Sequence, residues 1–267
     1  MSSQITLAMS LLETDLENNR SALDVYFAEL DAQAISWLLV VQTKTRQAPA
    51  LPAFYAGRTI FSHSLGLSKS RNIALAHCQT RYAIFTDYDT RHNPQILLKF
   101  GRILLSHHDK FPLVITDVGK TKDWDRIAEF ASRAVLSGDG LLIRPRYQDS
   151  QLSSIFSVQI CWDVEFLKRH DLSFDEKLGL GNQSWLPGFG EEYLLALNCY
   201  FRSGQYGRSN RRIALTLGPT TGDGLGLLDK LSLFLYILFH LNGVSLRQKA
   251  GWLGTKISKK ALSLLRQ

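Results

Sequence analysis

Cysteine is scarce in this sequence. It occurs three times in 267 residues, as Cys78, Cys161 and Cys199, and never in Cys-x-x-Cys spacing. An odd, scattered set in apolar surroundings excludes a disulfide framework and reads as buried thiols in a reducing compartment. Long hydrophobic runs are also missing: no stretch approaches the roughly 18 apolar residues that cross a bilayer. The opening residues MSSQITLAMSLLETD lack a basic region and carry only a short apolar run, so no signal peptide is expected. What is present is ordinary for a globular chain, 45% hydrophobic and 21% charged, long enough for one large domain or two small ones. The formal charge of +7 favours anions. Nucleotide phosphates, nucleic acid and anionic lipid all satisfy it, and charge does not choose among them.

The most informative stretch runs from Gly66 to Asp89, GLSKSRNIALAHCQTRYAIFTDYD. It reads as loop, helix, loop, buried strand and acidic turn, the strand being Tyr82–Thr86. Asp87 and Asp89 stand where the apolar run stops. A strand end is a rigid platform, and carboxylates held there suit a hard divalent cation such as Mg2+ or Mn2+ carrying substrate phosphates. Asp-x-Asp is short, and the same pair also occurs in plain solvated turns. Arg71 is read as a contact to phosphate or base, with a surface cation as the alternative.

The order Gly66-Leu67-Ser68-x-x-Arg71-Asn72 followed by Tyr82-x-x-Phe85-x-Asp87-x-Asp89 resembles the nucleotide-sugar half of family 2 glycosyltransferases of the GT-A fold. A second block, Phe174-Asp175-Glu176-x-Leu178-Gly179-x-Gly181 and then Gly188-Phe189-Gly190-Glu191-Glu192, resembles that family's acceptor-side loop and catalytic acid. The resemblance covers roughly residues 5–222. It implies a GT-A type α/β fold, with a mostly parallel sheet flanked by helices. It implies nucleotide-sugar contacts from Ser10, Gln42, Arg71, Asn72 and Asp87, and a metal on Asp89 and Asp87. It also implies Glu192 as general base, with Glu191 orienting or replacing it. Two departures stand out. Where the family reads the base with an acid, this chain has Gln42, whose amide offers both donor and acceptor. Where the family often supplies a histidine to the metal, Ala214–Gly222 has none. Metal ligation is then left to Asp89, the diphosphate and water, or the metal is weakly held.

In chain order, Ile5–Leu12 reads as a first strand, Ser21–Leu30 as a helix with Leu23, Val25, Tyr26 and Leu30 inward, and Ile35–Val41 as a second strand. Strand, helix, strand is the start of a parallel sheet, whose ligands lie beyond the carboxyl ends of the strands. Arg58–Ser62 reads as a short strand. Asn93-Pro94 starts a helix over Gln95–Ser106, with His107 and His108 at its end. Leu113–Thr116 and Phe156–Ile160 read as strands, and Trp162–Arg169 as a short helix. Trp185 and Phe189 are suited to stack on an acceptor sugar or to anchor their glycine-rich loop. Glu191 and Glu192 open a helix, where the dipole alone would favour them. Arg202, Arg208, Arg211 and Arg212 form a basic cluster.

Residues 1–222 are expected to form the GT-A domain, and 223–267 a C-terminal amphipathic and basic helical region. Leu231–Leu241 is nearly all apolar, and Arg247, Lys249, Lys256, Lys259, Lys260 and Arg266 follow it. Docking on an anionic membrane surface, packing on the core and a dimer contact all fit that pattern. The expected activity is sugar transfer from a nucleotide-diphosphate sugar to a glycan or lipid-linked glycan hydroxyl, with inversion, in surface polysaccharide synthesis. The expected location is cytoplasmic, peripheral to the membrane. Alternatives are a sugar-nucleotide nucleotidyltransferase, whose glycine-rich, arginine-containing N-terminal loop this chain lacks, and a basic membrane- or nucleic-acid-binding module. For the transferase, no nucleic acid is expected.

Overall fold

A computed structural model describes residues 4–44, 51–107, 110–132, 141–148, 152, 157–179, 190–217, 227–241, 244–245 and 247–249. The elements run β1 (Ile5–Leu12), α1 (Glu13–Asn18), α2 (Arg20–Ala32), β2 (Ser36–Gln42), β3 (Thr59–Ser62), α3 (Leu67–His77), β4 (Tyr82–Thr86), β5 (Thr90–His92) and α4 (Pro94–Ser106). They continue as β6 (Leu113–Thr121), α5 (Trp124–Ser132), β7 (Ile143–Arg146), β8 (Ile160–Asp163), α6 (Val164–Arg169), α7 (Glu191–Ser203), β9 (Tyr206–Leu217) and α8 (Leu227–His240).

The described strands form one sheet in the order β3-β2-β1-β4-β8-β6-β9-β5, with β7 also paired to β9. β1, β2, β3, β4, β6 and β9 run one way, and β5, β7 and β8 oppose them. The fold is thus a mixed α/β architecture with a mostly parallel sheet flanked by helices. Strand periodicity explains why both faces need cover. Leu7, Met9, Leu39, Val41 and Ile84 point into one core with Leu23, Tyr26, Phe27, Leu97 and Phe100 of α2 and α4. Their neighbours Ala8, Leu38, Val40, Ala83 and Phe85 point into a second core with residues of α3, α6 and α7. Tyr236, Ile237 and Leu241, on or just after α8, join that second core.

Several boundaries differ from the sequence reading. On α2 the inward face is Leu23, Tyr26, Phe27 and Leu30, while Val25 is exposed; the 3.6-residue period turns Val25 to the side away from the other four. The expected strand at Phe156–Ile160 lies later. Ser157–Gln159 make a single 3₁₀ turn, and β8 is Ile160–Asp163, wedged between β4 and β6. The helix that follows begins at Val164 because the Asp163 carboxylate accepts from Phe166 N at 3.0 Å, capping it there. β6 runs on to Thr121, and Arg208, Arg211 and Arg212 of the basic cluster lie on β9, where Arg212 pairs with Asp117. The three cysteines are buried and unbonded to one another. No helix among the described residues is long and apolar enough to cross a membrane.

Candidate active site

The parallel register Leu12↔Gln42 and Met9↔Thr86 brings the carboxyl ends of β1, β2 and β4 to one edge of the sheet. Side chains tie these ends together. Thr43 donates to the Glu13 carboxylate across the β1 and β2 ends, and the Gln42 amide oxygen accepts from Gly66 N at 2.7 Å, holding the loop that enters α3. Ser10 lies near the end of β1 with a buried hydroxyl that has no partner among the described residues.

Asp87 and Asp89 follow β4, as the sequence indicates. Asp87 keeps contact with solvent. Crowding by protein nevertheless raises its carboxyl, against the attraction of Arg71 and with help from Asp89 and Glu192; solvent screening moderates the size of that shift. Asp89 is held from a direction the sequence did not reveal. Thr90 and Thr216 hydroxyls each lie 3.4 Å from its Oδ1, and its carbonyl accepts from Leu217 N. Burial raises its carboxyl, and the two threonine hydrogen bonds oppose that. Thr216 reaches Asp89 because β9 pairs with β5, a tertiary relation with no local signature.

Arg71 unites the two distant blocks. It is 2% exposed, which removes the surface-cation reading. Its Nη1 lies 2.7 Å from Glu191 Oε1 and 2.8 Å from Glu192 Oε1. Its guanidinium sits near the rings of both Phe85 and Phe174, at 5.7 and 5.6 Å from the centroids. Burial opposes its charge, but Glu192, Glu191 and Asp87 together outweigh it, so its pKa is raised. The Glu191 carboxyl is raised by burial and by Glu192, against Arg71. Its second oxygen, Oε2, is buried with no partner among the described residues. Both glutamates stand at the start of α7, after Gly190 in a left-handed conformation.

The loop from Leu172 to Gly179 closes this side. Asn72 accepts from Phe174 N and donates to Phe174 O, both at 2.9 Å, so its two edges match the backbone N–H and C=O of one residue. The structure therefore gives Asn72, read as a nucleotide contact, the task of holding this loop. Ser68 donates to Leu178 O at 2.6 Å. Gly179 has φ +95°, and a Cβ there would stand 2.7 Å from Ser68 Oγ and 3.3 Å from Glu191 Oε1; only glycine accepts both the angle and the approach. Trp185 and Phe189 lie outside the described residues. Among the described residues, no three His, Cys, Asp or Glu side chains converge as a metal-holding group.

No protein-family model and no curated protein matches the sequence. Solved structures do match the fold. TarS 1–349 of S. aureus superposes with a TM-score of 0.60 at 15% identity, over 93% of this chain and 68% of that one. The same protein in complex with UDP-GlcNAc gives 0.61 at 14% identity over 93% and 69%, and in complex with UDP 0.57 at 14% identity over 93% and 68%. At such identity the likeness establishes a shared fold, and in that fold the strand-end carboxylates and the Arg71-bridged glutamates of this chain come to a single site.

Proposed function

We propose that this chain transfers a sugar from a nucleotide-diphosphate sugar to an acceptor hydroxyl. The observation that carries the reading is the ion triad of Arg71 with Glu191 and Glu192, buried beside Asp87. It joins the strand-end acids to a pair of glutamates about a hundred residues later in the sequence. The shared fold supports it, since TarS has been crystallised with UDP and with UDP-GlcNAc. A UDP-sugar is accordingly the first donor to test.

Glu192 would take the proton of the acceptor hydroxyl. The acceptor oxygen then bonds to the anomeric carbon as that carbon's bond to the diphosphate breaks, on the opposite face, so the product is inverted. Arg71 holds the Glu192 carboxylate in place at 2.8 Å. Glu191 orients the arginine. Asp87, Glu191 and Glu192 crowd the Arg71 guanidinium, and Asp89 in turn raises Asp87, a charge balance that a divalent cation would relieve, so the residues fit one. Asp89 and Asp87 would hold Mn2+ or Mg2+, with diphosphate and water as further ligands; bound there, the cation would stabilise charge on the departing diphosphate. Ser10 and Gln42 stand on the donor side, and Trp185 and Phe189 are assigned to the acceptor. A glycan or lipid-linked glycan of a bacterial surface polysaccharide is the acceptor class proposed.

The test is a thermal shift with UDP-, GDP-, CMP- and dTDP-sugars, with and without Mn2+, on the native chain and on Asp89→Ala. The expected result is a metal-dependent shift with one nucleotide, lost in the variant. No shift with any nucleotide would overturn the reading.

A further inference from the structure

The charge of this chain is unevenly placed. Of its 31 Lys and Arg and 24 Asp and Glu, six cations and no anion fall after Lys230, so residues 1–230 carry a net charge of only +1 while residues 231–267 carry +6. That acid-free stretch begins within α8. Its inner side is settled: Tyr236 and Ile237 are buried, and the Tyr236 hydroxyl donates to Asp175 Oδ2 at 2.7 Å. Its outer side carries large apolar side chains. Leu235 is 44% and Phe239 75% exposed, and their four-residue spacing puts them on one face. Arg247 and Lys249 follow within three turns' length of sequence.

We propose that the Leu235–Phe239 face of α8, with the cationic stretch after it, docks this chain on an anionic lipid bilayer. The apolar side chains would enter the acyl boundary while the cations meet headgroup phosphates. Charge selects this occupant over two rivals. A second copy seated on the same face would bring two +6 stretches together, which is repulsive. Nucleic acid would satisfy the cations but has no use for an outward Leu235 and Phe239. The docking does not depend on the transferase reading. If both hold, the two are linked through the inner side of α8, where Tyr236 bonds Asp175, the neighbour of Phe174, whose ring lies against Arg71.

The experiment is flotation of the full chain with phosphatidylcholine vesicles, alone or with about one-third phosphatidylglycerol, with no sugar nucleotide present. The variants are Leu235→Ser with Phe239→Ser, and Arg247→Glu with Lys249→Glu. The expected result is binding to the anionic vesicles only, weakened on the order of tenfold by either pair and by raised salt. Absence of binding, equal binding to neutral vesicles, or binding indifferent to the Leu235 and Phe239 changes would overturn the proposal. So would a dimer in solution that the same changes convert to monomer. Leu235, Phe239 and Arg247 are exposed and Lys249 is half-buried, so a melting temperature close to the native one separates lost docking from lost folding. Donor binding measured on the same variants stays intact if only the docking is removed.

Discussion

Arg71 carries one positive charge into a buried space that holds two glutamates, with Asp87 close by. Its partners are themselves desolvated, so deleting the cation leaves carboxylates with nothing to balance them. Arg71→Ala should cost about 3–5 kcal/mol of stability, the usual consequence of breaking a buried pair from one side, as measured by urea unfolding. Glu191→Gln in the same background should recover part of that loss, because one of the stranded charges is gone. The glutamates divide by exposure: side-chain exposure is 3% for Glu191 and 15% for Glu192, which makes Glu192 the one able to meet an acceptor. Glu192→Gln should therefore abolish transfer while donor binding persists, whereas Asp89→Ala should lose both. Equal loss of donor binding in the two variants, by calorimetry, would sink this division. Asp87, Asp89, Glu191 and Glu192 were legible in the sequence as acids at element ends. That Arg71 faces the glutamates was not legible, since 120 residues separate it from Glu191.

At the scale of elements, two local devices set the site's frame. Asn93 caps α4, its side chain accepting from Ile96 N at 3.0 Å with Pro94 following, and its amide donates to Phe130 O at 2.8 Å, tying α5 to the same corner. Asn93→Ala should destabilise the chain by about 1–2 kcal/mol, read from the shift of the denaturation midpoint. The cap was visible in the sequence; the link to α5 was not, because no pattern announced α5. The second device is the loop from Leu172 to Gly179 against α3. Gly179→Ala should displace that loop from Ser68 and Glu191, lowering turnover far more than it lowers the melting temperature. An unchanged turnover number would show that the loop does not govern the acids. Gly179, and Gly190 at the start of α7, both have positive φ, which glycine adopts without strain. The loop's docking surface on α3 had no sequence signal, since Ser68 and Asn72 look like ordinary helix-start residues.

For the whole molecule, buried titratable groups make stability depend on pH in two separable windows. The Glu191 carboxyl is raised above its ordinary 4.5. The folded chain therefore holds that proton more tightly than the unfolded chain, and stability is lost as pH rises above 4.5. His92, fully buried, is pushed down from 6.5 to about 3 by burial and by Arg91. The unfolded chain therefore binds that proton more readily, and stability is lost as pH falls below 6.5. Of these two, the Glu191 effect alone operates above pH 6.5 and the His92 effect alone below 4.5. Glu191→Gln should flatten the decline in melting temperature on the alkaline side, and His92→Gln should flatten it on the acid side. Parallel curves for native and variant chains would refute the assignments. By itself the sequence determined the alternation that buries β1, β2 and β4 on two faces, the carboxylates at the end of β4 and the start of α7, and the concentration of positive charge after Lys230. All of these follow from local period, local polarity and composition. Only the tertiary structure decided that Thr216 steadies Asp89, that Asn72 holds the backbone of Phe174 in a distant loop, and that Arg71 joins the two acidic blocks. Those contacts arise from strand order and helix packing, which bring together residues whose separation along the chain carries no periodic signal.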